Sequence, residues 1–303
     1  MNAVLKFPHD IDENFEQIRT RFDEEYGVVW LYMRPEPRPC FTRKLLEEGH
    51  YFAHHKYHGL QGKVMDMGVE KPANYMVLAS DVPGVFNLGG DLSVFQHAIR
   101  TQNRAELLNY GKICVDIGWA FYRMDTPVTT ISLVQGQAMG GGFESALSTN
   151  VMIAEKSARM GLPEVLFNLF PGMGALSFLS RKIGMRAAEA MVLSGKIHTA
   201  TELYEMGVVD VLAEDGEGEN VLYDWISKNH RSLNSFQAIQ RAKQRVNPLS
   251  LDELYEITEI WVDAALRLTE RDLKIMERLV RAQNHKITPK ERTALYPVPM
   301  VVA

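Results

Sequence analysis

The chain has 303 residues, 46% hydrophobic and 23% charged, with a formal net charge of −5, a composition that supports a sizeable globular core and argues against nucleic acid as the main partner. Its two cysteines, Cys40 and Cys114, are too few for a disulfide framework and lack metal-ligand spacing, which points to a reducing compartment. The opening MNAVLKFPHDIDENFEQIR is broken by Pro8 and acidic residues, unlike a signal peptide, and no stretch reaches the roughly 18 uninterrupted apolar residues of a membrane span, so a cytoplasmic location is expected.

Residues 1–25 are polar and mixed and read as an N-terminal extension. VVWLYMR (28–34), rich in β-branched and aromatic residues, reads as a strand. Pro35, Pro37 and Pro39 end regular structure, and FTRKLLEEGHYFAHHKY (41–57) has helical spacing. NYMVLAS (74–80) is a second strand, followed by the loop DVPGVFNLGGD. From Leu92 to Met124 the pattern is helical, with Gly111 and Gly118 as points where it could break. TTISLVQG (129–136) is a third strand, GGFESALS a helix start and NVMIAE (150–155) a fourth strand. FPGMGALSFLSRKIG, RAAEAMVLSG and TATELYEMG read as short helices closed by glycine. VVDVLA (208–213) is a late strand, and helical patterns dominate afterwards up to the irregular tail ALYPVPMVVA. Strands and helices in alternation, then helices alone, predict an α/β core over 26–215, a helical region over 216–290 and a tail over 291–303.

Two glycine loops follow strands: FNLGGDL (86–92) and GQAMGGGFE (136–144). A third segment, MGLPEVLFNLFPGMG (160–174), carries Glu164 after Pro163. Such glycine clusters are most often plain connections, because glycine tolerates tight turns. The missing Cβ also leaves backbone N–H groups at a helix start open to a ligand. Unsatisfied donors and a partial positive charge there suit a phosphate or a developing oxyanion. Alone, Glu144 reads as a first-turn helix carboxylate and Glu164 as a surface residue.

Together and in this order, the three segments resemble the crotonase (enoyl-CoA hydratase/isomerase) superfamily. In that family a loop ending in Gly–small–Asp and a GGG segment each supply one backbone N–H to an oxyanion hole. One glutamate follows the GGG, and another sits in a Pro-Glu segment before Pro-Gly. Carried over residue by residue, the resemblance makes Gly90 and Gly141 the oxyanion donors and Glu144 and Glu164 the catalytic carboxylates. It assigns Glu164 as the C2 base and Glu144 as the acid. It implies an α/β fold, a crotonase-type spiral of ββα units with a helical C-terminal region, and neither cofactor nor metal.

Asn87 and Leu88 depart from the small residues that hydratases usually carry before the glycine. With the long N-terminal segment, ITEIWVDAALRL (257–268), MERLVRAQ (276–283) and GLPEVLFNLFPGMGA (161–175), they make the chain similar to one branch, the RpfF-type diffusible signal factor synthases. That branch makes cis-2-unsaturated fatty-acid quorum-sensing signals from 3-hydroxyacyl chains on acyl carrier protein. The resemblance implies dehydration and thioester hydrolysis in one site, assembly into a homo-trimer or hexamer, and a sensor kinase as a regulatory partner. Coenzyme A as the carrier, an enoyl-CoA hydratase or isomerase of fatty-acid metabolism, and a non-catalytic scaffold remain as alternatives.

Trp261 lies in a helical apolar stripe that reads first as core packing. Its functional version is a wall of an acyl pocket, to which Leu88, Met139, Leu162, Leu166, Phe170, Met173 and Leu176 would also contribute. GMGALS (172–177) imitates a dinucleotide fingerprint but lacks its third glycine and its strand, and reads as a helix start. His54, His55 and His58 in HHKYH are spaced like metal ligands, yet a plain helix face is the commoner meaning. FESA around Ser145 is not a nucleophile elbow.

Overall fold

The computed structural model describes residues 15–57, 62–66, 68–123 and 127–284. Its first pair of strands is antiparallel: Ile18–Asp23 (β1) and Val28–Met33 (β2), with Ile18 opposite Met33. β1 falls inside the segment read as an extension. Its Ile18, Thr20 and Phe22 alternate with Arg19, Arg21 and Asp23, the period of two that places alternate side chains on opposite faces. The guanidinium groups of Arg19 and Arg21 lie over the rings of Tyr32 and Trp30, at 3.7 and 4.5 Å.

Arg43–Tyr51 (α1) follows, capped by the Thr42 hydroxyl, and ends in a π-helical turn over Phe52–Tyr57. A hairpin of Lys63–Asp66 (β3) and Val69–Pro72 (β4) precedes Tyr75–Ser80 (β5) and Val85–Asn87 (β6). Leu92–Arg100 (α2) and Arg104–Tyr122 (α3) come next, then Thr129–Val134 (β7), Gln137–Met139 (β8) and Gly141–Leu147 (α4). Val151–Glu155 (β9) and Arg159–Gly161 (β10) lead through a 3-10 turn, Pro163–Phe167, into Ala175–Ile183 (α5) and Met185–Ser194 (α6). Ile197–Thr199 (β11), Ala200–Glu205 (α7) and Val211–Ala213 (β12) complete the strands. Four helices follow: Gly218–His230 (α8), Leu233–Val246 (α9), Leu251–Ala265 (α10) and Glu270–Asn284 (α11).

A six-stranded sheet has the order β1-β2-β5-β7-β9-β12 and is parallel beyond its first pair. A four-stranded sheet has the order β11-β10-β8-β6. Each of β5, β7 and β9 in the large sheet leads to β6, β8 or β10 in the small one and then to helical structure. This is the ββα spiral, with a helical C-terminal region, expected from the sequence. Every residue of β2 and β7 is buried, because a parallel sheet is covered on both faces. Val29, Leu31, Met33, Met76 and Leu78 face the main core, and Trp30, Tyr32, Tyr75 and Val77 face α8 through Leu222 and Ile226.

Besides β1 within the expected extension, the structure overturns the expected break points of the helical stretch: the chain breaks between α2 and α3, and α3 runs unbroken through Gly111 and Gly118. A Cβ on Gly111 would stand 2.5 Å from the Thr258 Cγ2. The glycine admits α10 at close range instead of ending the helix.

Candidate active site

Glu144 stands in the first turn of α4, and only 2% of the residue is exposed. Its Oε1 accepts two hydrogen bonds, from the backbone N–H of Met173 and of Ala175, each 2.9 Å. Gly174, at φ +117°, turns the chain so that both donors face it, and α5 begins immediately afterwards. The GMGALS segment therefore wraps its open N–H groups around a carboxylate of the same chain. The Glu144 Oε2 is buried with no hydrogen-bond partner among the described residues.

Glu164 sits on the 3-10 turn, which Asn168 ends at φ +63°. The residue as a whole is part-exposed, but its Oε2 is withdrawn from solvent and has no hydrogen-bond partner among the described residues. Its carboxyl lies against Gly140, where a Cβ would come within 2.3 Å of the Glu164 Oε1. Gly140 is also at φ +51°, so a side chain there meets both backbone strain and the carboxylate.

Burial holds the proton on both acids well above the usual carboxylate range. The two backbone donors partly offset this for Glu144, whereas the charge of Glu144 pushes Glu164 up further. The favoured arrangement near neutrality is one proton for the pair, carried mainly on Glu164.

The FNLGGDL loop is fixed residue by residue. The Asn87 Oδ1 accepts from the Gly89 N–H at 2.8 Å, which gives that departure from a small residue a structural role. Gly89 adopts φ +86°, and a Cβ on it would lie 2.6 Å from the Met139 carbonyl. Phe41 bridges Gly90 in parallel and donates to the Gly89 carbonyl at 2.7 Å. The buried Tyr110 hydroxyl accepts from the Asp91 N–H at 3.0 Å and donates to the Phe41 carbonyl. Asp91 caps α2 through Ser93 and pairs with Arg38 at 2.5 Å. The open side of Gly141 faces this loop, where a Cβ would stand 3.5 Å from the Gly90 nitrogen.

Two adjoining cavities meet here. Gly90, Gly141 and Met173 line both; Glu144 lines the first and Glu164 the second. Of the residues expected in an acyl pocket, Leu88, Met139 and Trp261 line the second cavity together with Met173. Leu162 and Leu176 pack in the main core instead, and Phe170 packs in the Trp261 cluster. Leu166 is 53% exposed and lines neither cavity. Sequence reasoning missed the apolar wall of the first cavity, to which Ile18, Leu31, Phe41, Leu45, Leu78 and Phe121 contribute. The Ser145 hydroxyl donates to the Gly142 carbonyl at 2.8 Å, within its own helix. Among the described residues, no group of three His, Cys, Asp or Glu side chains could hold a metal ion. His58 and the side chain of His55 lie outside the described residues, and no described helix is long and apolar enough to cross a membrane.

The sequence pattern of the enoyl-CoA hydratase/isomerase family matches residues 64–287. The chain belongs to this family. It is 30% identical over 151 residues to the mitochondrial methylglutaconyl-CoA hydratase of Mus musculus, covering 50% of this chain and 46% of that protein. It is also 30% identical over 205 residues to the probable enoyl-CoA hydratase 2, mitochondrial, of Arabidopsis thaliana, covering 67% of this chain and 62% of the other. The chain thus matches about half the length of the first of these relatives. A putative enoyl-CoA hydratase from Streptomyces avermitilis shares the fold, with a TM-score of 0.72 over 94% of this chain and 98% of that one at 17% identity. The matched span of the enoyl-CoA hydratase/isomerase pattern contains both glycine loops and both glutamates.

Proposed function

We propose that the protein adds or removes water across C2 and C3 of an acyl thioester, and that it works as a diffusible signal factor synthase. In that role it dehydrates a 3-hydroxyacyl group on acyl carrier protein and hydrolyses the thioester to a free cis-2-unsaturated acid. The observation that carries the reading is the pair of buried carboxylates. Each has an oxygen without a partner among the described residues, and each lines a cavity walled by the same two glycines.

In dehydration a carboxylate removes the C2 proton, and the thioester oxygen gains charge opposite the N–H groups of Gly90 and Gly141. Losing one such donor typically raises a barrier by about 3–4 kcal/mol. The second acid protonates the 3-hydroxyl, which leaves as water while the C2–C3 double bond forms. With Glu164 at C2 and Glu144 at the oxygen, dehydration starts with the proton on Glu144. The opposite arrangement, which the hydrogen bonds at Glu144 favour, is poised to add water. This supports a second reading, an enoyl-CoA hydratase of fatty-acid metabolism. Thioester hydrolysis would draw the same site toward dehydration by removing its product.

The test is incubation of the purified protein with 3-hydroxydodecanoyl acyl carrier protein and, separately, with the coenzyme A thioester. Products are identified by mass spectrometry and gas chromatography, with Glu144→Ala and Glu164→Ala as controls. Free cis-2-dodecenoic acid from the carrier-protein substrate, lost in both variants, is the expected outcome. An enoyl thioester without free acid selects the hydratase reading. No turnover of either substrate overturns both and leaves a scaffold.

We further propose a homo-trimer or hexamer assembled through the C-terminal helices. α9 buries none of its residues within the subunit, and its Ile239 and Val246 are 59% and 85% exposed.

A further inference from the structure

We propose that Ile18, on the edge strand β1, sets the length of the acyl group by closing the far end of the cavity that begins at Glu144. This rests on the acyl-thioester reading above. One wall of the cavity is α4 with its C-cap, through Gly141, Glu144, Ser145 and Ser148, whose spacing of three, one and three puts them on one helix face. α4 packs over β7, where the Ser132 hydroxyl donates to the Ala146 carbonyl at 3.1 Å. From there the cavity floor crosses the sheet strand by strand: Leu78 on β5, Leu31 on β2 and Ile18 on β1.

Those are three steps between neighbouring strands, roughly 14 Å at about 4.8 Å each. An extended alkyl chain advances roughly 1.3 Å per carbon, from a bond of about 1.5 Å at a near-tetrahedral angle. About ten carbons therefore separate the wall of α4 from β1, the last strand of the sheet on that side. Ile18 is 1% exposed, and its branched Cβ leaves it little rotamer freedom to swing aside.

The strand that carries it is anchored. The backbone N–H groups of Glu16 and Gln17 both donate to the Glu48 carboxylate, at 2.9 and 2.8 Å, and the Gln17 carbonyl accepts from the Arg34 N–H at 3.0 Å. Glu48 is itself buried on α1, the helix whose Leu45 and Gly49 line the same cavity. The far wall is thus a fixed stop held from two sides.

The experiment measures binding of saturated fatty acids of eight to sixteen carbons by titration calorimetry, which needs no turnover, for the wild type and for Ile18→Val, Ile18→Ala and Ile18→Phe. Turnover of 3-hydroxyacyl thioesters over the same lengths runs beside it. Wild-type affinity should rise about fourfold per added methylene, the worth of one buried CH2, up to a limit near ten to twelve carbons. The limit should move to longer chains in Ile18→Val and further in Ile18→Ala, and to shorter chains in Ile18→Phe. If folded variants keep the wild-type limit, the assignment of Ile18 falls and the acyl-thioester reading stands. A wild type that binds no fatty acid and turns over no thioester overturns that reading and this inference together. Should Ile18→Ala fail to fold, Ile18→Val and Ile18→Phe still decide the outcome.

Discussion

At the scale of single residues, the site is governed by how two buried carboxylates are served. Glu144 has two backbone donors on one oxygen, and Glu164 has Gly140 against its carboxyl. Each keeps a second oxygen with no hydrogen-bond partner among the described residues. A proton retained in the folded state at a pH where the unfolded chain has lost it makes stability fall as pH rises. For Glu164 that window opens at the ordinary carboxylate pKa, about 4.3, and closes at its raised folded value. Glu164→Gln places a neutral group of the same shape there. The melting temperature of the variant relative to wild type should therefore climb between about pH 5 and pH 8. The gain is bounded by about 1.4 kcal/mol per pH unit, or a few degrees. Calorimetry in matched buffers checks this, and a difference that stays flat with pH would mean that Glu164 is not held protonated.

Among elements, the ones that build the site approach each other through missing side chains. Gly111 lets α3 meet Thr258 on α10, and a Cβ on Gly172 would lie 2.2 Å from the Trp261 ring. Gly111→Val should cost about 1–3 kcal/mol through overpacking, read as a lower denaturant midpoint with an unchanged slope. The long apolar strands were legible because each is a near-continuous run of the kind a doubly covered sheet requires. The three-residue strands β6, β8, β10 and β11 were not, since so short a segment shows no period, only a partner found elsewhere in the chain. β1 carried its signal in the alternation of Ile18, Thr20 and Phe22 with charged residues, obscured by the polar stretch around it. The glycine loops were legible because positive φ and close backbone approach restrict what can stand at Gly89 and Gly140, whereas Glu144 and Glu164 stood out only through the family resemblance. The apolar wall of the first cavity was not, because residues from Ile18 to Phe121 meet there only after folding. Leu166 looked equivalent to its neighbours in sequence, yet it sits on the outer side of a single turn.

For the whole molecule, the helical C-terminal region presents both a roof and a surface. α10 covers the second cavity with Trp261, and Leu279 of α11 reaches the same cavity. α9 leaves apolar side chains outside, a liability for a lone subunit and an asset for an assembly. Light scattering after size exclusion should give a mass three or six times the subunit's 34.4 kDa. The pair of changes Ile239→Lys and Val246→Lys should shift it toward one subunit with secondary structure intact. A wild-type mass of one subunit would remove the assembly from the proposal.

The position of Trp261 also has a bearing on time. On the ribosome, Gly90, Gly141, Glu144 and Glu164 all emerge well before the helix that carries Trp261, and chains fold from the N-terminus as they are made. Until about a hundred further residues have followed Glu164, the second cavity has no roof against Gly172. A nascent chain can hold both carboxylates and both glycine loops before the Trp261 wall of the second cavity has been made. Assembly of that cavity is thereby tied to synthesis of α10.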